Sequence, residues 1–317
     1  MIYFIVFILL FVAELLYFRI ANKYNIIDKP NERSSHNYIT IRGGGIIWWV
    51  AALLYMLFNS SEMSGWFLTG ITLMAGVSLW DDIKGLGQKV RLLAHLMAMT
   101  CAFILAGAFG MYPWWAIALG YIVFIGIVNA YNFMDGINGI TGLYSIAVLA
   151  SLQYVNLSYG NFVHPDLIWY PMIASAVFLF FNFRKRARCF AGDVGSVTIA
   201  FLIVTLLLIL IIKTENLIWI GFLMVYGVDT VMTILHRIYL KQNIMEAHRL
   251  HFYQILANEK KVPHRLVSLI YFTVQLLCSA LIIILYPVMG WWILIILVIL
   301  LILIYSFKFK FVKISNP

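Results

Sequence analysis

Residues 197–212 read VTIAFLIVTLLLILII, a stretch of 16 residues without a charged side chain. A helix that crosses the hydrocarbon of a bilayer needs about 20 mostly apolar residues, and this stretch with its neighbours approaches that length. We identify eleven such stretches, at about 1–19, 45–59, 65–80, 92–109, 114–130, 139–155, 167–183, 197–212, 217–235, 266–286 and 290–307. Because they are continuous rather than alternating, they predict helices rather than a closed barrel. The expected fold is therefore an all-α, polytopic membrane helical bundle.

The composition agrees with this reading, because 63% of the residues are hydrophobic and only 11% are charged. Soluble domains carry roughly 25% charged residues. No repeat or soluble domain is evident, so residues 1–317 are expected to form a single integral-membrane domain. The cysteines Cys101, Cys189 and Cys278 lack C-x-x-C spacing and histidine neighbours, which argues against a disulfide framework or a zinc site.

The positive charges predict the orientation of the bundle. If the N-terminus lies outside, segments 20–44, 81–91, 184–196 and 236–265 and the C-terminal tail face the cytoplasm. Lys213 is then the only one of the 22 Lys and Arg residues left outside, a strong positive-inside bias. The net charge of +9 is therefore mainly topological, and we expect no nucleic-acid partner. It also suits a surface that handles anionic lipid headgroups or nucleotide diphosphates.

Two adjacent carboxylates, Asp81 and Asp82, end the third apolar stretch. Adjacent acids at a membrane boundary repel each other unless a cation or a shared proton relieves them. They are either general-base and cation-handling groups or the start of a solvated loop. Both interpretations stay open on this pair alone.

A second cluster lies between residues 129 and 139. Asn129, Asn132 and Asp135 follow an i, i+3, i+6 spacing that keeps them on one side of a helix. Gly136 and Gly139 permit a tight exit or the close approach of a ligand. Helix capping is the alternative, but two amides, a carboxylate and two glycines exceed what a cap needs.

The third cluster is Gly192-Asp193-Val194-Gly195-Ser196, which follows a basic stretch at 184–188. At a helix N-terminus, backbone N–H groups could meet a phosphate while Asp193 holds a hard cation. An N-cap is the alternative, and the absence of G-K-[S/T] excludes a Walker loop.

The fourth cluster is His248-Arg249-Leu250-His251 in a cytoplasmic segment. The two imidazoles lack a convincing third zinc ligand, so donors for a pyrophosphate are favoured over a metal site; a solvated loop is the alternative. Asp229 lies within an apolar stretch about two helical turns from His236, and an intramembrane carboxylate is a functional candidate by default. Carboxylates, amides, imidazoles and basic residues at one membrane face suit phosphoryl transfer between a nucleotide diphosphate and a lipid phosphate.

The motifs, taken in order, resemble those of the polyprenyl-phosphate N-acetylhexosamine-1-phosphate transferases, within glycosyltransferase family 4. This family includes the phospho-N-acetylmuramoyl-pentapeptide translocase and the enzymes that start O-antigen, common-antigen and teichoic acid linkage synthesis. The resemblance spans about 1–265, and its motifs are Asp28-x-Pro30-Asn31-Glu32-Arg33-Ser34-Ser35-His36, Arg42-Gly43-Gly44-Gly45, Asp81-Asp82, Asn129 to Gly139, Gly192 to Ser196 and His248 to His251.

The resemblance implies transfer of a sugar 1-phosphate from a UDP-sugar to undecaprenyl phosphate in the bacterial inner membrane, with release of UMP and a requirement for Mg²⁺, for which Mn²⁺ could substitute. It implies that Asp193 binds the metal and that Asp81 and Asp82 deprotonate or orient the lipid phosphate. The other positions that it implies are Asn129, Asn132 and Asp135 in the nucleotide-sugar and active-site wall, His248, Arg249 and His251 at the sugar phosphate or diphosphate, and His36 and Arg42 in the first cytoplasmic loop. With these residues we group Asp229 as a candidate substrate-binding residue.

The sequence departs from the family pattern at two positions and in one loop. Asn138 stands where many members have Asp, and Ile41 where many have Pro. The His-Arg-Leu-His loop resembles the O-antigen initiating branch more than the pentapeptide translocase. The sugar and the oligomeric state stay open, with a homodimer among the options. A secondary transporter and an intramembrane prenyltransferase remain as alternatives, although the chain lacks related halves and paired D-x-x-x-D loops.

Overall fold

The computed structural model describes residues 1–28, 30, 38–59, 64–243, 246 and 248–310. The described chain is almost entirely helical. Its α-helices are α1 (Ile2–Lys23), α2 (Ile47–Phe58), α3 (Gly65–Lys84), α4 (Gln88–Leu105), α5 (Ala108–Met111), α6 (Trp114–Met134), α7 (Ile140–Ser158), α8 (Asp166–Asn182), α9 (Gly192–Thr214), α10 (Met224–Tyr239), α11 (Phe252–Gln254), α12 (His264–Met289) and α13 (Trp292–Ser306). Short 3₁₀ turns lie at Gly44–Ile46, Leu217–Leu223 and Phe307–Lys310, and a π-helical turn lies at Ile255–Glu259.

Each of the eleven apolar stretches falls on helical structure. Within the described ranges, eight helices are long and apolar enough to cross a membrane. The helical segments Gly44–Phe58 and Asp166–Asn182 are apolar but shorter. An all-α, multi-pass membrane protein is therefore confirmed.

Helix α9, which contains the stretch 197–212, lies at the centre of the bundle. Of the 18 residues in its most apolar segment, about 94% are buried inside the protein, compared with 22% for the corresponding segment of α1. It packs against α2, α3, α4, α6 and α7. A helix that is apolar on all sides is suited to such an interior position, whereas α1 leaves most of its apolar surface for lipid.

The ninth apolar stretch is not one regular helix, because the 3₁₀ turn Leu217–Leu223 precedes α10. The side chain of Gln275 compensates at this break. It accepts a hydrogen bond from the backbone N–H of Val225 at 3.1 Å and donates one to the carbonyl oxygen of Gly221 at 3.3 Å. Backbone groups released by a helix break in a membrane protein need such partners.

A small hairpin lies between α1 and α2. Strands β1 (Ile27–Asp28) and β2 (Thr40–Ile41) are antiparallel, and Ile41 also forms a parallel bridge with Cys189. The following glycines lie against α9, where a Cβ added to Gly45 would be 2.2 Å from the Cα of Gly195. Only glycine permits this approach. The hairpin thus brings residue 42 to the N-terminus of α9.

Candidate active site

The C-terminal end of α3 and the N-terminal end of α9 bring three carboxylates together, because the two helices pack against each other. The Asp82 carboxylate accepts hydrogen bonds at 3.0 Å from the backbone N–H groups of Asp193 and Val194. It therefore caps the first turn of α9, where orphan N–H groups and the helix dipole favour an anion. The side chain of Asp82 is fully buried, whereas that of Asp193 is 19% exposed.

Arg42 joins the first loop to this cluster. Its Nε lies 2.7 Å from Asp82 Oδ1, and its Nη2 lies 3.2 Å from Asp193 Oδ1. Its backbone is also held, since the Tyr17 hydroxyl donates to the Arg42 carbonyl oxygen at 2.7 Å. Burial alone would lower the pKa of Arg42, but the two carboxylates outweigh burial and raise the pKa. The guanidinium is therefore a fixed cation between two acids.

A second guanidinium, Arg91 of α4, lies on the other side of Asp193. Its Nη1 is 3.1 Å from Asp81 Oδ2 and 3.8 Å from Asp193 Oδ2. The other oxygen of Asp81 accepts the backbone N–H of Leu86. Acids and guanidiniums thus alternate across the site, and each cation relieves the repulsion between neighbouring carboxylates.

The C-terminal end of α6 forms one wall of this cluster. Asn132 Oδ1 accepts the Ser196 hydroxyl at 3.1 Å, which ties α6 to the first turn of α9. Asp135 Oδ1 accepts the Thr141 hydroxyl at 2.6 Å. Burial raises the pKa of Asp135 to about 7, against the lowering effect of the Thr141 hydrogen bond, and the negative charges of Asp193 and Asp82 raise it further. The side chain of Asn129, half-buried one turn earlier, makes no hydrogen bond to the described part of the chain.

Asn138, at the position where the family often has an acid, serves the local structure. Its side chain is buried and donates to the carbonyl oxygen of Arg184 at 2.8 Å. Its own carbonyl oxygen accepts the Ser268 hydroxyl at 2.8 Å. An amide can donate this bond and a carboxylate cannot. This contact gives Asn138 a role in joining α6 to the segment before α9.

The histidine loop, residues 248–253, is held by the buried side chain of Asp229 in α10. Asp229 Oδ1 lies 3.3 Å from His251 Nδ1 and accepts the backbone N–H of Phe252 at 3.0 Å. Its other oxygen accepts the Tyr271 hydroxyl at 2.6 Å and the backbone N–H of Tyr253 at 3.4 Å. With its oxygens engaged by the protein, Asp229 lies behind His251. The substrate contact that the sequence suggests for Asp229 stays a prediction.

His248 and Arg249 are half-buried at the start of the same loop. The rings of His248 and His251 are 4.9 Å apart, and His248 Nδ1 accepts the backbone N–H of Leu250 at 3.3 Å. Burial, reinforced by the positive charges of neighbouring groups that include Arg237, lowers the pKa of His248 to about 4. His248 is therefore uncharged at neutral pH.

Tyr253 connects the histidine loop to the carboxylate site. Its hydroxyl donates to the carbonyl oxygen of Phe133 at 2.9 Å. Phe133 immediately precedes the end of α6, and Asp135 follows that end. Asp81, Asp82, Asp193, Asn132, Asp135 and Arg42 thus form one site, and His248 and His251 join it through α6. His36 lies outside the described residues.

Two residues of the site, Arg91 and Tyr253, are not predicted by the sequence motifs. In the sequence Arg91 contributes only a positive charge to the segment 81–91, and Tyr253 belongs to none of the four clusters. Arg91 follows Asp81 by ten residues, and its spacing from the acids was the available signal. Tyr253 carries no comparable signal, because its partner Phe133 is 120 residues away.

The carboxylates fit a magnesium ion in chemistry but not as a complete cage. Within the described ranges, no three His, Cys, Asp or Glu side chains have the spacing of a preformed metal site. Magnesium takes hard oxygen ligands, and it commonly uses one or two carboxylates with substrate phosphates and water. The most exposed carboxylate of the cluster, Asp193, is suited to that arrangement.

Fold and site together define a polytopic helical membrane protein with a carboxylate and guanidinium site at one end of the bundle. The family model for glycosyl transferase family 4 matches residues 64–211, which include α3, α6 and most of α9. This match confirms the resemblance that the motifs indicate.

Curated relatives extend the match beyond that region. A probable undecaprenyl-phosphate N-acetylglucosaminyl 1-phosphate transferase of Bacillus subtilis is 27% identical over 292 residues, which cover 86% of this chain and 81% of that protein. An undecaprenyl-phosphate alpha-N-acetylglucosaminyl 1-phosphate transferase of Yersinia pestis is 26% identical over 63% of this chain and 58% of that protein. A phospho-N-acetylmuramoyl-pentapeptide-transferase of Petrotoga mobilis is 39% identical over 88 residues, 28% of this chain and 25% of that protein.

Proposed function

We propose that the protein transfers a sugar 1-phosphate from a UDP-sugar to undecaprenyl phosphate and releases UMP. The observation that carries the proposal is the cluster of three carboxylates and two guanidiniums. Its members lie at the ends of α3, α4 and α9 and just before α2: Asp81, Asp82, Asp193, Arg42 and Arg91. Such a site can orient and neutralise two phosphate-bearing substrates. The names of the relatives support the lipid acceptor and the sugar phosphate, and the family match favours this reaction over transport or prenyl transfer.

We propose eleven crossings with the N-terminus outside, the C-terminus in the cytoplasm and the site at the cytoplasmic face of the bacterial inner membrane. The site supports this topology, because it joins the C-terminal ends of α3 and α6 to the N-terminal end of α9. Alternating crossings by α1, α2, α3, α4, α6, α7, α8, α9, α10, α12 and α13 place those three ends on one side. The positive-inside distribution of Lys and Arg assigns that side to the cytoplasm.

In the proposed reaction, an oxygen of the lipid phosphate attacks the β-phosphorus of the UDP-sugar. The bond from that phosphorus to the bridging oxygen breaks, UMP leaves and a lipid diphosphate sugar forms. Arg42 and Arg91 stabilise the negative charge that shifts among the phosphate oxygens during transfer. Asn132 and Asp135 form the wall beside the donor.

Burial separates the roles of the two adjacent acids. The Asp82 side chain is fully buried and engaged by two N–H groups and Arg42. It therefore orders α9 and the first loop. The Asp81 side chain retains 9% exposure and contacts the more exposed Arg91. We assign to Asp81 the orientation of the lipid phosphate and removal of a proton from its monoanion.

We propose that Mg²⁺, or Mn²⁺ in its place, is required and that Asp193 is its principal protein ligand. The ion would neutralise charge on the donor diphosphate. Its ligands would then combine one carboxylate with phosphate oxygens, a set that magnesium accepts. Arg42 keeps the Asp193 carboxylate directed toward the site at 3.2 Å.

The decisive experiment measures UMP release by purified protein in lipid nanodiscs, with undecaprenyl phosphate and a panel of UDP-sugars. UDP-N-acetylglucosamine is the first donor to test, since the relatives are named for N-acetylglucosaminyl transfer. UDP-N-acetylgalactosamine and a 6-deoxy-N-acetylhexosamine donor complete the panel. We expect release that depends on both substrates and is lost in Asp193→Asn. No UMP release with any donor, from protein that remains folded, would refute the proposed reaction.

A further inference from the structure

A buried line of side chains runs beneath the histidine loop from the last helix. Lys308, in the turn after α13, donates to the hydroxyl oxygen of Tyr305. That hydroxyl lies 2.9 Å from Thr233 Oγ1, and Thr233 donates to Asp229 Oδ1 at 3.2 Å. The same Asp229 oxygen lies 3.3 Å from His251 Nδ1. All five side chains are buried.

The chemistry of the end groups fixes the direction of the hydrogen bonds. An ammonium only donates, so the Tyr305 oxygen accepts from Lys308 and its O–H is available for Thr233. The hydroxyl of Thr233 in turn donates to Asp229. A carboxylate only accepts, so His251 Nδ1 carries the hydrogen that faces Asp229. The direction of every bond is therefore consistent from Lys308 to Asp229.

This arrangement leaves one nitrogen of His251 for a ligand. His251 Nε2 is buried and has no hydrogen-bond partner among the described residues. A buried polar atom without a partner is costly, which makes such an atom informative at a functional site. Nδ1 anchors the ring and Nε2 is left for the reaction site.

The burial of Lys308 shows that its ammonium group does not extend to the membrane surface. A lysine near a helix end usually extends its ammonium to the membrane surface, but Lys308 has 0% exposure. Burying an ammonium is costly unless charge or hydrogen bonds compensate it. Along this line of hydrogen bonds the carboxylate is Asp229, two hydroxyl groups away. The ammonium and the carboxylate thus stabilise each other through Tyr305 and Thr233.

We propose that Tyr305 and Lys308 are positioning residues for sugar-phosphate transfer, which hold the ring of His251 through Thr233 and Asp229. The inference rests on the proposed function for its kinetic readout. It gives α13, which lies beyond the region of the family model, a part in the site. Neither residue touches a substrate; each acts through the tautomer and orientation of His251.

Tyr305→Phe tests the link with the loss of one oxygen. The ring is retained, and its neighbours Phe252 and Phe309, at 6.1 and 6.3 Å, keep their packing partner. We expect kcat/KM for the UDP-sugar to fall about tenfold while KM for undecaprenyl phosphate stays within twofold of wild type. Thr233→Val, which interrupts the line at its centre, should give the same deficit. The double variant should have the same kcat/KM as either single variant, because both changes interrupt the same line of hydrogen bonds.

The matched control is Tyr286→Phe in α12. The Tyr286 ring packs against Trp291, and its hydroxyl makes no hydrogen bond within the described ranges. This variant should match wild type in UMP release and thermal stability. Hydrogen–deuterium exchange of residues 248–255 in protein without substrate gives a readout independent of catalysis, and it should accelerate in Tyr305→Phe but not in Tyr286→Phe.

The outcomes separate the two proposals. If wild-type protein releases no UMP, the proposed reaction fails, and hydrogen exchange still decides whether Tyr305 holds the loop. If wild type is active and Tyr305→Phe matches Tyr286→Phe in kinetics and exchange, the positioning role is overturned. Equal losses of kcat/KM for both substrates, together with a lowered Tm, would also overturn the positioning role, because they indicate general destabilisation of the protein.

Discussion

Arg42 Nε lies 2.7 Å from Asp82 Oδ1, so residue 42, between α1 and α2, is anchored to the C-terminal end of α3. The same carboxylate caps α9 through the N–H groups of Asp193 and Val194. Asp82 is therefore shared by three segments that are distant in sequence. Its neighbour Asp81 pairs with Arg91 and accepts a local backbone N–H group, and this contrast leads to different expectations for the two acids.

We predict that Asp81→Asn lowers kcat by at least about 10², the lower range for loss of a general base. We expect a loss of at least about 10² for Asp82→Asn as well, because Arg42 and the start of α9 are then misplaced. Only Asp82→Asn should also lower Tm, since it weakens the α9 cap, a change that typically costs about 1 kcal/mol. For Asp81→Asn the deficit should shrink as pH rises, because the lipid phosphate loses its second proton near pH 6. Kinetics and thermal unfolding from pH 6 to 9 provide the measurement. A profile for Asp81→Asn that parallels wild type at reduced height would contradict proton removal and indicate orientation instead.

The second prediction concerns Asp193. Asp193→Asn keeps the size of the side chain but removes the charge that a hard cation requires, so turnover should be nearly abolished and its dependence on Mg²⁺ weakened. Titration of UMP release with Mg²⁺ and Mn²⁺, after treatment with EDTA, provides the measurement. Near-normal activity of the variant at ordinary metal concentration would rule out Asp193 as the principal ligand. Lys241→Gln, a change at an exposed position outside the carboxylate site, is the matched control and should titrate like wild type.

The third prediction uses the pKa of Asp135, which burial raises from 3.8 to about 7. A carboxyl whose pKa is raised in the folded state stabilises the protein fully below pH 4, and this contribution is lost as pH rises toward 7. Tm of the wild type should therefore fall relative to Asp135→Asn between pH 5 and 8. Thermal unfolding across that range checks the sign. A constant Tm difference across the range would show that the pKa of Asp135 is not raised.

The fold class and the kind of chemistry at the site could be predicted from the sequence, but the contacts between distant residues could not. Continuous apolar stretches predict membrane helices because a chain in lipid has few other ways to satisfy its backbone. Asp193 could be recognised from the glycines around it, but its partner Arg42 is 151 residues away in sequence. The sequence flagged Asp229 through its cost in a membrane, yet only the structure shows its five hydrogen-bond partners. The break at Leu217–Leu223 lacks a proline, so the sequence contains no strong signal for it.

The last prediction concerns Arg249, where the functional and solvated-loop interpretations of the histidine motif differ most. If Arg249 contacts the UDP-sugar diphosphate, Arg249→Ala removes charge-assisted hydrogen bonds from the reaction. We expect kcat/KM for the UDP-sugar to fall at least tenfold, a loss of about 1.4 kcal/mol. Tm should change little, because the loop lies outside the apolar spans and is anchored by Asp229 at His251, Phe252 and Tyr253. Parallel assays of activity and thermal stability in detergent make the distinction. A variant that is equally stable and fully active would identify Arg249 as a solvated side chain, and it would move the expected diphosphate contacts to the basic segment 184–188 beside α9.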